Sequence, residues 1–152
     1  MKKTTMQKYA RLIARKGINV QKNQEVIVNA SHDQPEFDKM VVEECYRAGA
    51  KKVTVEWSYQ PLTKLNYRYR SMKTLSTIEK WEEEKLAHRC DVLPAMIYID
   101  SDDPDGLKGI DQNKVSKASQ ARYPVLKPYI DKMENKYQWC IAAVPGEAWA
   151  KK

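Results

Sequence analysis

Few residues in this 152-residue chain are of types that do chemistry: two histidines, three cysteines and one dense run of aspartates. His32 follows the apolar run EVIVNA and stands between Ser31 and Asp33. If that run is a strand, the three residues lie where open α/β sheets gather ligand-binding groups, although a turn histidine more often only bonds backbone. His88 lies between Lys85 and Arg89 in a polar stretch and reads as surface. Neither histidine has a second ligand at HExxH spacing, so a catalytic zinc motif is absent. Asp100, Asp102, Asp103 and Asp105 could attract a divalent cation through oxygen. Aligning Gly106 with the glycine of a calcium loop, however, puts Ser101 at the first ligand position and Gln112 where a bidentate Glu belongs. Turn and cap chemistry explains the cluster better.

Nucleophiles and phosphate loops are no better supplied. No GxSxG, GxxxxGK[ST] or GxGxxG occurs, which removes the usual support for acyl hydrolase, nucleotide hydrolase and dinucleotide oxidoreductase readings. Cys45 and Cys140 occupy apolar positions of a helix and a strand and read as inert core thiols, while Cys90 has no histidine placed to activate it. An odd cysteine count without CxxC spacing suits a reducing compartment. With no long apolar run and no secretory leader, the expected setting is cytoplasmic, away from a membrane.

The elements that would position these groups follow from pattern. Met6, Tyr9, Ala10, Ile13 and Gly17 repeat at helical spacing, with Leu12 beside them, and Lys8, Arg11 and Arg15 fall on the other side. Seven of the basic residues, and no acidic one, lie between Met1 and Gln24, so the whole formal charge of +7 resides there. Such a block is usually a solvated helix face, though with the NYRYRS run at 66–71 it leaves a small basic α/β module that binds nucleic acid or a nucleotide as an alternative function. Strands are expected at 25–30, 52–57, 93–99 and 137–144. A helix over 34–48, opened by Asp33 and Pro35 and closed by Gly49, joins the first two as a βαβ unit. The stretch 61–91 reads as polar helix with Leu75, Ile78, Trp81 and Leu86 inward, and 112–132 as helix interrupted at Pro124 and Pro128. Alternation of this kind predicts a single α/β domain over 1–152: a mainly parallel sheet of about four strands, helices on both faces, built from βαβ units. Its strand ends would bring together Ser31, His32, Asp33, Trp57, Ser58, Asp102 and Asp103 as a substrate-access edge.

Taken in order, KYARLIARKGINVQKNQEVIVNA at 8–30, EF at 36–37 with VVEECYRAGAKKVTVEW at 41–57, LTKL at 62–65, LKGID at 107–111, SQARYPVLKPY at 119–129 and WCIAAVPGEAWAKK at 139–152 resemble the amino-terminal domain of the thermophilic-type metallo-aminopeptidases, the family of aminopeptidases S and T. The resemblance implies a non-catalytic domain of an enzyme that removes amino-terminal residues from peptides. It also implies zinc, cobalt or magnesium held by glutamates, histidines, an aspartate and a tyrosine of a following carboxyl-terminal domain. Those positions would lie beyond Lys152, so no catalytic or metal-binding residue carries over, and no cofactor is expected in this chain. A peptide substrate reached through the parent enzyme, the missing catalytic domain and a possible second copy are the implied partners.

Overall fold

The computed structural model describes residues 2–151. They form two compact units. One comprises the described part of residues 1–59 with 94–104 and 137–152; the other comprises 60–93 and 105–136.

The first unit contains α1 (Lys3–Leu12), β1 (Glu25–Ser31), α2 (Pro35–Arg47), β2 (Lys52–Ser58), β3 (Ala95–Asp100), β4 (Trp139–Ala143) and a short α7 (Glu147–Ala150). The strands form one sheet in the order β2-β1-β3-β4, every pair parallel, with Val26 beside Val53 and Ala95, and Met96 beside Trp139. The expected mainly parallel α/β sheet is therefore present. Each strand lies within about two residues of its expected span, because apolar, β-branched runs bounded by turn residues mark buried parallel strands.

Alternation along the strands sends Val26, Val28, Ala30, Ala95, Ile97, Ile99 and Ala142 to one face, where they pack with Ala10, Ile13, Ala14, Phe37, Val41 and Cys45 of α1, the turn after it and α2. Burying each Val, Ile or Phe side chain stabilises by roughly 1.5–3 kcal/mol relative to leaving it in water. On the opposite face β4 leaves Trp139 60% and Ile141 63% exposed.

The first helix departs from its expected stripe. After Leu12 the chain widens into a π turn, Ile13–Gly17, in which the Ile18 N–H bonds the Ile13 carbonyl, five residues back. Ala14, one turn after Ala10, is buried with Ala10 and Ile13, while Leu12, expected among the anchors, points about 100° away from Ile13 and is 55% exposed. Gly17 closes the turn against β4, where a Cβ would stand 2.8 Å from Cys140 Sγ. Lys8, Arg11 and Arg15 face water, as the stripe requires.

The second unit is helical: α3 (Gln60–Tyr69), α4 (Met72–Ser76), α5 (Lys80–Val92) and α6 (Gln112–Met133). Caps define its starts. Ser71 Oγ accepts the Thr74 N–H, Glu79 and Glu82 form a capping box, and Asp111 Oδ1 accepts from Asn113 and Lys114. The helix α6 runs unbroken through Pro124 and Pro128, which were expected to interrupt it. Both prolines are exposed, so the carbonyls left without a helical donor can turn to water. Among the described residues of this unit only Ala118 is buried, and Trp81, expected inward, is 63% exposed. Polar ties do much of the joining instead. Arg122 donates to the Thr77 carbonyl and to Glu82 Oε1, both at 2.7 Å, and Lys114 Nζ reaches the carbonyls of Tyr67 (2.6 Å) and Arg70 (2.7 Å). Burial works to raise the Glu82 carboxyl, but its bonds to the Glu79 backbone and to Arg122 outweigh that and hold it low.

Candidate functional site at the strand ends

The strand order reverses direction between β1 and β3: β2 lies on one side of β1, and β3 and β4 on the other. Loops leaving such neighbours diverge, and the crevice between them is where open α/β sheets bind ligands. In this chain the flanking loops are Ser31–Asp33 and Ser101–Asp103.

A hollow of about 490 Å³ opens at this edge, lined among others by Asn29, Ser31, Glu56, Trp57, Tyr98 and Asp102, with Ser58 also on its wall. Of the residues expected at the edge, Ser31, Trp57, Ser58 and Asp102 thus meet on one surface. His32 is held alongside by its backbone, whose N–H donates to the Ser58 carbonyl at 2.9 Å. Its ring stands edge-on to Trp57, with centroids 5.7 Å apart, and to Tyr59 at 6.2 Å. Asp33 turns to the crevice instead and accepts the Ser101 hydroxyl at 2.5 Å. Asp103 is not on the wall of the hollow. Ser58 Oγ ties back to the Ala30 carbonyl (3.3 Å), and Val144 N–H to the Asp100 carbonyl (2.8 Å), fixing the ends of the outer strands.

The expectation did not include Asp38 or Gly146, and it had Ser101 only as part of the turn at 100–103. Asp38 in α2 is fully buried, and neither carboxylate oxygen has a hydrogen-bond partner. Burial pushes its carboxyl up to about 7, and the neighbouring charge of Asp33 adds to the effect. Gly146 passes so close that a Cβ there would lie 2.5 Å from Asp33 Oδ2 and 3.1 Å from the Ser101 carbonyl oxygen. A signal for Asp38 was present in the sequence: it precedes Val41 by three and Cys45 by seven, the register of the buried face.

Chemically, the edge offers carboxylates beside aromatic walls, which suits a positively charged group such as an amine. It offers no activated nucleophile. The thiol nearest to core chemistry, Cys45, is pushed up to about 12 by burial, with Glu44 adding to the effect, and is thereby inert. Among the described residues no group of three or more His, Cys, Asp and Glu could hold a metal ion.

Residues 2–152 match the family described as thermophilic metalloprotease (M29). The chain belongs to that family. Aminopeptidase AmpS of Bacillus subtilis is 33% identical over 145 residues, which are 95% of this chain and 35% of that protein. Aminopeptidase PepS of Streptococcus thermophilus is 28% identical over 151 residues, 99% of this chain and 37% of that protein. The solved structure of wild-type AmpT from Thermus thermophilus superposes with a TM-score of 0.84 at 29% identity, covering 98% of this chain and 38% of that one. The chain spans little more than a third of the length of the curated relatives it matches. An M29 metalloprotease implies a divalent metal in the parent enzyme, and the described side chains do not fit one: they supply no convergent ligand set with an open position for water.

Proposed function

We propose that this chain is the amino-terminal, non-catalytic domain of a metal-dependent aminopeptidase that removes amino-terminal residues from peptides in the cytoplasm. The observation that carries the reading is the match to M29 over nearly the whole chain but only about a third of its relatives, in a chain whose described residues hold no metal-binding cluster. Zinc, cobalt or magnesium would be held by the remainder of such an enzyme, outside this chain. The helical unit supports the same reading. Leu62, Leu65, Tyr69 and Trp81 are exposed on it, apolar surface that another part of a protein or a second copy would cover.

Within that enzyme the strand-end edge, with Ser31, His32, Asp33, Trp57, Ser58, Asp102 and Asp103, would shape access to the active site. Its carboxylates would draw in the free amino group of a peptide. The test is direct. The purified chain, supplied with cobalt, zinc or magnesium, should not turn over an aminoacyl chromogenic substrate. Turnover that a substitution in this chain abolishes would overturn the assignment as a non-catalytic domain.

A further inference from the structure

Asp38 is the least comfortable group in the first unit. It lies in the first turn of α2, fully buried, with both oxygens unpartnered, and its neighbour in charge is another carboxylate, Asp33. A buried anion in this state costs several kcal/mol unless a cation or a proton neutralises it.

No side-chain cation does so. On α1, Lys3, Lys8 and Arg11 are exposed, and Tyr9 gives its hydroxyl to the Ala143 carbonyl. In the π turn, Arg15 reaches the Arg47 carbonyl and Lys16 is exposed. The sheet brings Glu25, Lys52, Glu56 and Cys140. On α2 itself Glu36 and Lys39 are exposed, while Glu43 and Glu44 pair with Arg47. The amino end of α2 offers only a partial positive charge, so a proton is the neutraliser that remains.

Asp33, whose charge acts on Asp38, also makes the contact that joins the loops at the crevice. Asp33 holds the Ser101 hydroxyl, and Gly146 packs on both. Three chain segments, following β1, β3 and β4, are thereby joined at one point.

We propose that Asp38 is a proton-operated latch for this crevice: neutral, it lets α2 pack against the strand ends and the Asp33–Ser101–Gly146 contact stay shut; charged, it repels Asp33 and draws in water, opening that contact. The hollow lined by Ser31 and Asp102 shares these loops, so its shape would change with the latch. The sign follows from proton linkage. The folded chain holds this proton more tightly than the unfolded one, so stability from this group is greatest in acid, falls from about pH 4 towards pH 7, and levels off above.

The test uses the full chain and reads stability and titration rather than turnover, so it stands or falls apart from the aminopeptidase reading. Carboxyl carbon NMR should show one aspartate titrating near neutrality. The midpoint of urea unfolding should drop between pH 5 and 8. In Asp38→Asn that drop should shrink, and at pH 8 the variant should unfold at higher urea than the parent. Asp33→Asn, at an exposed position, should move the unusual titration to lower pH by removing the like charge. Amide exchange at 31–34, 101–103 and 145–147 should quicken above pH 7 beyond its intrinsic pH dependence. If every aspartate titrates below pH 5, or if Asp38→Asn keeps the parent's drop, the latch does not exist. Should Asp38→Asn not fold, the titrations of the parent and of Asp33→Asn decide the matter alone.

Discussion

Cys45 and Asp38 lie on the same buried side of α2, and burial pushes both acids in the same direction. For Cys45 the consequence is unreactivity. With its thiol pushed up to about 12, only roughly one molecule in a few thousand carries the thiolate at pH 8.5. Its contribution to stability is complete below the free thiol's value and declines as pH climbs from there towards 12. Pulse alkylation of the native chain at pH 8.5, followed by peptide mapping, should therefore label Cys45 last, at the rate of global unfolding. Labelling of Cys45 as fast as of the half-buried Cys90 would contradict that burial. At this scale the sequence was only partly legible. The loops carrying His32 and Asp102 could be located because strand ends obey a fold-level rule. Asp38 was passed over because a stripe drawn through Phe37, Met40, Val41 and Cys45 admits only apolar residues, and a buried acid breaks that convention.

At the scale of elements, α1 and the π turn that follows it separate packing from charge. Ile13 is 2% exposed in the core, so Ile13→Ala should destabilise by about 2–4 kcal/mol in urea unfolding, through lost burial and the cavity left behind. Lys8→Ala and Arg15→Ala, both in water, should change stability by less than about 0.5 kcal/mol. The same two charge removals report on the nucleic-acid alternative. Association with generic RNA should be weak and should vanish by physiological salt, whereas tight binding lost in the double variant would favour that function. The helix was foreseeable from spacing, but its final turn was not. A 3.6-residue period cannot announce an i→i+5 bond, but it does place Ala14 one turn after Ala10 and Leu12 off the stripe, which is where the structure has them. In α5 the cause is different: Trp81 and Leu86, five residues apart, fall on different sides of a helix, and no single stripe could bury both.

At the scale of the whole chain, the two units differ in how they are held. The sheet unit has the apolar core, while the helical unit relies on caps and on the polar ties of Arg122 and Lys114. Regions with little buried apolar surface open at lower free energy. Hydrogen exchange of the isolated chain should therefore show α3, α4 and α5 exchanging well before β1 and β3. Equal protection in both units would mean that the helices carry stability the buried side chains do not reveal. The parallel sheet was legible because its strands are nearly continuous apolar runs. The split into two units was not, because helices of similar composition can either cover a sheet or gather by themselves.

The outer edge of that sheet governs how the chain behaves in a test tube. Among the described residues the strand β4 pairs only with β3; its other side is met only in part, by the Tyr9 hydroxyl on the Ala143 carbonyl and by Gly17 against Cys140, and it leaves Trp139 and Ile141 exposed. Folded proteins guard such rims with charge, proline or a covering segment, because an open rim recruits further strands. A preparation of this chain by itself is thus poised towards edge-to-edge growth as concentration rises, and colloidal behaviour would report, before any enzymology, whether something meant to lie along that rim is missing.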